Sequence, residues 1–193
     1  MKSDRELVSD FQCGAGEPAF TELVKRHYSH AFQIAFGTLN NREDAEEVVQ
    51  DAFLRIHRAL PAFRGEAEFS TWMYRIIINL CNNKFRWNRV RGSRISDSID
   101  APLNIHGSSS SSLRMEIRDR ELPPDQRCVF DETNRRLHEA MQRLPESYRE
   151  AVILRNVKQL DYEQIARILN CAIGTVKSRI SRGRELLREY LEQ

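Results

Sequence analysis

Three observations predict an all-α chain built as two small helical domains, residues 5–90 and 131–193, joined by a flexible linker over 91–130. Apolar residues recur at three- and four-residue spacing almost throughout, and no stretch alternates with the two-residue period of a half-buried strand. The middle of the chain loses that pattern and carries Pro102, a run from Ser108 to Ser112, and Pro123-Pro124. The last forty residues hold a capped short helix, a turn residue and a second, basic helix.

The spacing predicts a first long helix over 18–38, with Phe20, Leu23, Val24, Ala31, Ile34 and Ala35 on one face, after an amphipathic N-terminus. A second helix runs from about Asn41, a suitable N-cap, to Ala59. Its apolar residues are Ala45, Val48, Val49, Ala52, Phe53 and Ile56, and Pro61 ends it. A third begins near Ser70-Thr71 and continues through Trp72, Tyr74, Ile76, Ile77 and Leu80 towards Arg89. Residues 91–130 cannot bury enough apolar surface to offset their ordering entropy and read as a tether. A flexible chain of about 40 residues has an r.m.s. reach of roughly 35 Å. Helical spacing resumes near Asp131 with Leu137, Ala140, Met141 and Leu144. Pro145 marks a boundary, and Tyr148, Ala151, Val152 and Leu154 follow.

With 40% apolar and 30% charged residues, 8 glycines and 6 prolines, the composition excludes collagen-like and bulk disordered chains. No apolar run approaches the roughly 18 residues of a membrane span, and the N-terminus lacks the apolar stretch of a secretory signal. A cytoplasmic protein without stable membrane insertion is expected. Cys13, Cys81, Cys128 and Cys171 form no close pair and read as reduced thiols. No cofactor, metal site or catalytic residue is expected. The net charge of +2 hides local segregation.

Three surfaces carry the functional signal. Asp161 and Gln164 form a capping box, Asn170 suits a left-handed terminator, and a basic helix follows. That helix buries Val176, Ile180, Leu187 and Leu191, and carries Lys177, Ser178, Ser181, Arg182 and Arg184 elsewhere on its surface. This is a helix-turn-helix whose second helix suits the major groove, where arginine and lysine pair with guanine edges. The third helix ends in Lys84, Arg86, Arg89, Arg91 and Arg94, interleaved with Phe85 and Trp87, a pattern suited to single-stranded DNA. The second helix displays Glu43, Asp44, Glu46, Glu47, Gln50 and Asp51 against the single basic Arg42. That patch fits a solvated face, a metal cluster or a docking site for a basic partner. No histidine stands at ligand spacing to it, which disfavours the metal.

Leu144-Pro145-Glu146-Ser147-Tyr148-Arg149-Glu150, Tyr162-Glu163-Gln164-Ile165-Ala166 and Gly174-Thr175-Val176-Lys177-Ser178-Arg179 closely resemble the C-terminal domain of bacterial sigma factors of the extracytoplasmic-function type, in the sigma-70 superfamily. Glu43 to Phe53 resembles that family's core-binding helix, and Phe63 to Arg75 its minus-ten segment. The resemblance implies a sigma-2 helical bundle and a sigma-4 helix-turn-helix. It also implies a non-enzymatic initiation factor of stress-response type that binds core RNA polymerase at the beta-prime coiled coil and beta flap, recognises promoter DNA and meets an anti-sigma factor. Carried over residue by residue, Glu46, Glu47, Gln50 and Asp51 would touch polymerase. Phe63, Asn79, Asn83, Lys84 and Arg86 would hold the minus-ten strand. Arg155, Lys177, Ser178, Ser181, Arg182 and Arg184 would read the minus-thirty-five element. The family's linker threads into the polymerase cleft. Two residues depart from the pattern: Ala172 replaces a common proline and Gly183 a common alanine. A mid-helix glycine costs roughly 1 kcal/mol, which predicts a looser or bent helix. The competing reading is a stand-alone helix-turn-helix regulator. It would need a sensor or dimerisation domain, which residues 1–90 do not resemble.

Overall fold

Ser3 starts the first helix: its hydroxyl accepts from the Glu6 backbone N–H while the Glu6 carboxylate accepts from the Ser3 N–H. The computed structural model describes residues 2–96, 124–158 and 160–193, and the described residues hold eight α-helices and no strand. These are α1 (Asp4–Asp10), α2 (Gly16–Leu39), α3 (Arg42–Ala59), α4 (Phe69–Ser96), α5 (Pro124–Arg143), α6 (Glu146–Lys158), α7 (Tyr162–Leu169) and α8 (Ile173–Glu192).

In the N-terminal unit α2, α3 and α4 pack on one another. Asp4 ties α1 to α2 by accepting from Arg26 at 3.1 Å and contacting His27 at 2.7 Å. Gly14 adopts a φ of 102° in the wide turn between α1 and α2, a conformation that side chains resist. Asn40, with φ 51°, ends α2, and Asn41 caps α3 by accepting from the Asp44 N–H at 2.9 Å. The expected apolar stripe of α3 is buried, and Leu23, Ile34, Ile56, Leu60, Met73 and Ile77 have no or almost no exposed surface. Each such side chain contributes about 1.5–3 kcal/mol on burial. Cys81 is buried here as well, and burial pushes its thiol pKa up to about 12. It therefore stays protonated and inert at neutral pH.

The C-terminal unit is formed by α5 to α8. Gly183 is buried where α8 meets α6: a Cβ at this position would lie 2.8 Å from Val152 Cγ2. The glycine is explained by close helix approach, and the expectation of a loose or bent helix is replaced by a packing constraint. α4 and α5 run into the expected linker from its two ends, and the rest of that segment, 97–123, lies outside the described residues. The path of the linker into a polymerase cleft falls in the same segment.

The two units also touch. A Cβ built on Gly37 of α2 would lie 3.6 Å from the Ile153 side chain of α6, and Gln142 of α5 donates to the Thr38 carbonyl at 3.1 Å. That bond satisfies a carbonyl left open in the last turn of α2. Buried side chains from Leu7 to Ile180 form one continuous cluster across the join.

Candidate nucleic-acid interface

The helix-turn-helix follows its local chemistry closely. The Asp161 carboxylate accepts from the Gln164 N–H at 2.7 Å, and Gln164 Oε1 accepts from the Asp161 N–H at 3.2 Å. Asn170 is left-handed, with φ 49°, and the following Cys171 N–H closes on the Ala166 carbonyl. α8 then begins from Ala172, which supplies no side-chain cap. This leaves the first N–H groups of α8 available to an anion.

Lys177, Ser178, Ser181, Arg182 and Arg184 are all exposed on α8. Tyr162, the first residue of α7, was not singled out by the sequence as a site residue. Its ring lies beneath two cations, with the Arg155 guanidinium carbon 5.1 Å and the Lys177 Nζ 5.7 Å from its centroid. The arrangement gathers charge from α6 and α8 around one aromatic ring. Arg155 also donates to the Leu160 carbonyl at 2.5 Å, and Arg184 to Asn156 Oδ1 at 3.4 Å. Ser181 donates to Glu185 at 3.0 Å. An aromatic beside an N-cap, between two basic helices, was the available signal for Tyr162.

On α4, Asn79, Asn83 and Arg86 occupy one exposed row at i, i+4 and i+7. Arg86 donates to Asn83 Oδ1 at 3.2 Å, so the row is already hydrogen-bonded. Lys84 lies elsewhere. Its side chain is only 16% exposed, with Nζ 2.6 Å from Glu47 and 3.1 Å from Asp44 on α3. The hydrogen bond to Glu47 raises its pKa further. Phe63 is half-buried against Trp72, ring centroids 4.7 Å apart, and packs edge-on to Phe69. Gln12 fixes this turn by donating to both the Leu60 and Phe63 carbonyls at 2.9 Å. The side chains of Arg91 and Arg94 lie outside the described residues.

The acidic ridge of α3 stays at the surface. Glu46, Glu47 and Asp51 retain 39%, 68% and 45% of their side-chain exposure, and Gln50 is exposed beside them. Arg42 and Arg55 pair with Glu46 and Asp51 along the same helix at 2.8 and 3.0 Å. Such surface pairs are worth less than about 1 kcal/mol and yield readily to a competing partner. No group of three metal-ligating side chains occurs among the described residues.

An exposed basic recognition helix, carried by an all-helical chain with a second helical unit, defines a DNA-binding protein of transcription. Families described as Sigma-70 region 2 and Sigma-70, region 4 match residues 23–90 and 134–187. The chain is 34% identical over 185 residues to the ECF RNA polymerase sigma-E factor of Escherichia coli (strain K12), covering 96% of this chain and 92% of that one. It is 33% identical over 192 residues to the RNA polymerase sigma-H factor of Pseudomonas aeruginosa, covering 100% and 95%. A solved structure of the sigma factor RpoE in complex with the anti-sigma factor NepR, from Bartonella quintana, shares 26% identity and a TM-score of 0.59, covering 90% of this chain and 96% of that one. The chain belongs to the sigma-70 family, in its extracytoplasmic-function group, whose members are transcription initiation factors.

Proposed function

We propose that this chain is the promoter-specificity subunit of an RNA polymerase holoenzyme, with no chemistry of its own. The observation that carries the reading is the coexistence, in sigma-70 order, of an exposed acidic ridge on α3, an exposed Asn79–Asn83–Arg86 row on α4 and an exposed basic face on α8. The domains are residues 5–90, which bind polymerase and the minus-ten element, a linker over 91–130, and residues 131–193, which read the minus-thirty-five element.

In this mechanism Glu46, Glu47, Gln50 and Asp51 dock on the beta-prime coiled coil, and the C-terminal unit approaches the beta flap. Lys177, Ser178, Ser181, Arg182 and Arg184, with Arg155, read duplex DNA. Phosphate contacts set register, and contacts to base edges set sequence. Phe63, Asn79, Asn83 and Arg86 hold the displaced strand, and Lys84 joins them once its acids are drawn off. Extruding a base costs a few kcal/mol, which binding of the open strand offsets without nucleotide hydrolysis. The reading places the protein in the cytoplasm with polymerase. No described helix is long and apolar enough to cross a membrane. An anti-sigma factor is the regulatory partner. A stand-alone regulator is disfavoured because similarity to sigma factors extends over both units.

Transcription in vitro with purified core enzyme and a promoter library tests the proposal. The chain should pull down core polymerase and direct initiation at a discrete promoter set, whereas the chain alone should bind promoter duplex weakly. Failure of both pull-down and initiation would refute it.

A further inference from the structure

Phe63 is held from two directions. Its ring lies 4.7 Å from that of Trp72 and edge-on to Phe69. Its backbone is held by a side chain 51 positions earlier in the sequence. Gln12 Nε2 donates at 2.9 Å to the carbonyls of both Leu60 and Phe63, the two ends of the turn that follows α3. The Phe63 N–H closes the same turn on the Leu60 carbonyl at 3.1 Å. A side-chain amide nitrogen carries two donors, and both are spent on this turn. Leu60 is fully buried, whereas Arg64, Gly65 and Glu66 are exposed, so the bond to the Phe63 carbonyl falls where the chain leaves the core.

Gln12 is aimed by its own neighbours. It lies in the turn Phe11–Ala15, which closes one residue wider than an α-helix, a geometry that recurs at functional sites. The preceding Phe11 ring sits edge-on to His57 of α3 at 5.2 Å and 5.9 Å from Phe20 of α2, and Leu7 and Val8 anchor α1 in the core. The Gln12 side chain itself is exposed and fills no part of that core. Two bonds reaching 48 and 51 residues along the chain therefore orient a turn rather than fill space.

We propose that Gln12 is a positioning residue for the open DNA strand: by tying the Leu60 and Phe63 carbonyls to the turn between α1 and α2, it holds the Phe63 ring in the attitude that receives an unpaired base. Without the tie the ring keeps its apolar neighbours, but its backbone moves with the exposed residues after it. Strand binding then has to order that turn and is weakened by the cost. The role rests on reading Phe63 as a strand contact, and separate variants test the two.

Holoenzyme assembled with purified core polymerase, on a promoter recovered from the library, provides the assay. Permanganate reactivity of unpaired thymines counts open complexes, and circular dichroism checks folding. Gln12→Met keeps the length of the side chain and removes both donors. It should lower open-complex yield about three- to tenfold, with polymerase pull-down and the upstream footprint unchanged. Phe63→Ala should lower the yield about tenfold or more through lost stacking. Phe63→Leu, which still packs on Trp72, replaces it should Phe63→Ala unfold. In the Phe63 variant, adding Gln12→Met should cost little more, because a positioning residue has nothing left to position. Gln12→Met at wild-type yield, beside a defective Phe63 variant, overturns the positioning role alone. An equal Gln12→Met loss in both backgrounds also overturns it, since that marks general loosening. A Phe63 variant that opens promoters like the wild type removes the strand-contact reading and the positioning role together.

Discussion

The two cationic surfaces of this protein are built in opposite ways. On α8 the neighbouring helices present the charges: Tyr162 lies beneath Lys177 and Arg155, and Arg182 and Ser178 are exposed. On α4 the neighbours consume them: Asp44 and Glu47 hold Lys84, and α6 covers Phe85. The candidate side chains of α8 are exposed as the chain stands. On α4 the Asn79–Asn83–Arg86 row is exposed, while Lys84 is held by Asp44 and Glu47 and Phe85 by Arg149 of α6. Under the proposed function the contrast fits two tasks in time, since a duplex element is present from the start and an open strand is not.

The largest effect expected from breaking this contrast comes from α8. Lys177→Ala combined with Arg182→Ala should weaken upstream-element binding by about 2–4 kcal/mol and make its salt dependence shallower by about two contacts. Pull-down of core polymerase should be unchanged, and footprinting of the holoenzyme across salt concentrations checks both. Equal loss of polymerase binding would mean that the chain had misfolded. Next, Gly183→Val should destabilise the C-terminal unit by about 1–3 kcal/mol through overpacking against Val152, with Val152→Ala in the same chain recovering part of the loss. Urea unfolding followed by circular dichroism measures it, and an unchanged midpoint would show that α6 can retreat from α8 at little cost.

Smaller effects sharpen the contrast. Glu47→Gln should leave stability within about 1 kcal/mol and raise single-strand affinity about two- to fivefold, because Lys84 loses its nearer acid. Fluorescence anisotropy at low salt reports it, and no change would mean that Asp44 alone keeps Lys84 occupied. Smallest, Tyr162→Leu should cost about 0.5–1 kcal/mol of upstream-element binding, while Tyr162→Phe keeps the ring face and most of the affinity. Equal losses in the two variants would assign the role to the hydroxyl instead.

Much of the fold was legible because it is encoded within four residues. The caps at Asn41 and Asp161, the left-handed Asn170 and the apolar stripe of α3 appear where the spacing places them. The candidate residues of α3 and α8 lie at the surface, as do Asn79, Asn83 and Arg86. Lys84 could not be placed, because its acids lie on another helix. Gly183 could not be understood either, since its reason is Val152 on α6. The join was invisible on the same ground, and Tyr162 was signalled only by its place beside the Asp161 cap.

The sequence by itself determined the helices, the helix-turn-helix, the family and the rows of charge, because helical periodicity and capping are short-range and each residue's partner is close along the chain. Only the tertiary structure decided which charges are available and which stripe of α4 is covered. Those outcomes depend on pairs such as Lys84 with Glu47 and Asn82 with Glu150, 37 and 68 residues apart, which become neighbours only when helices pack.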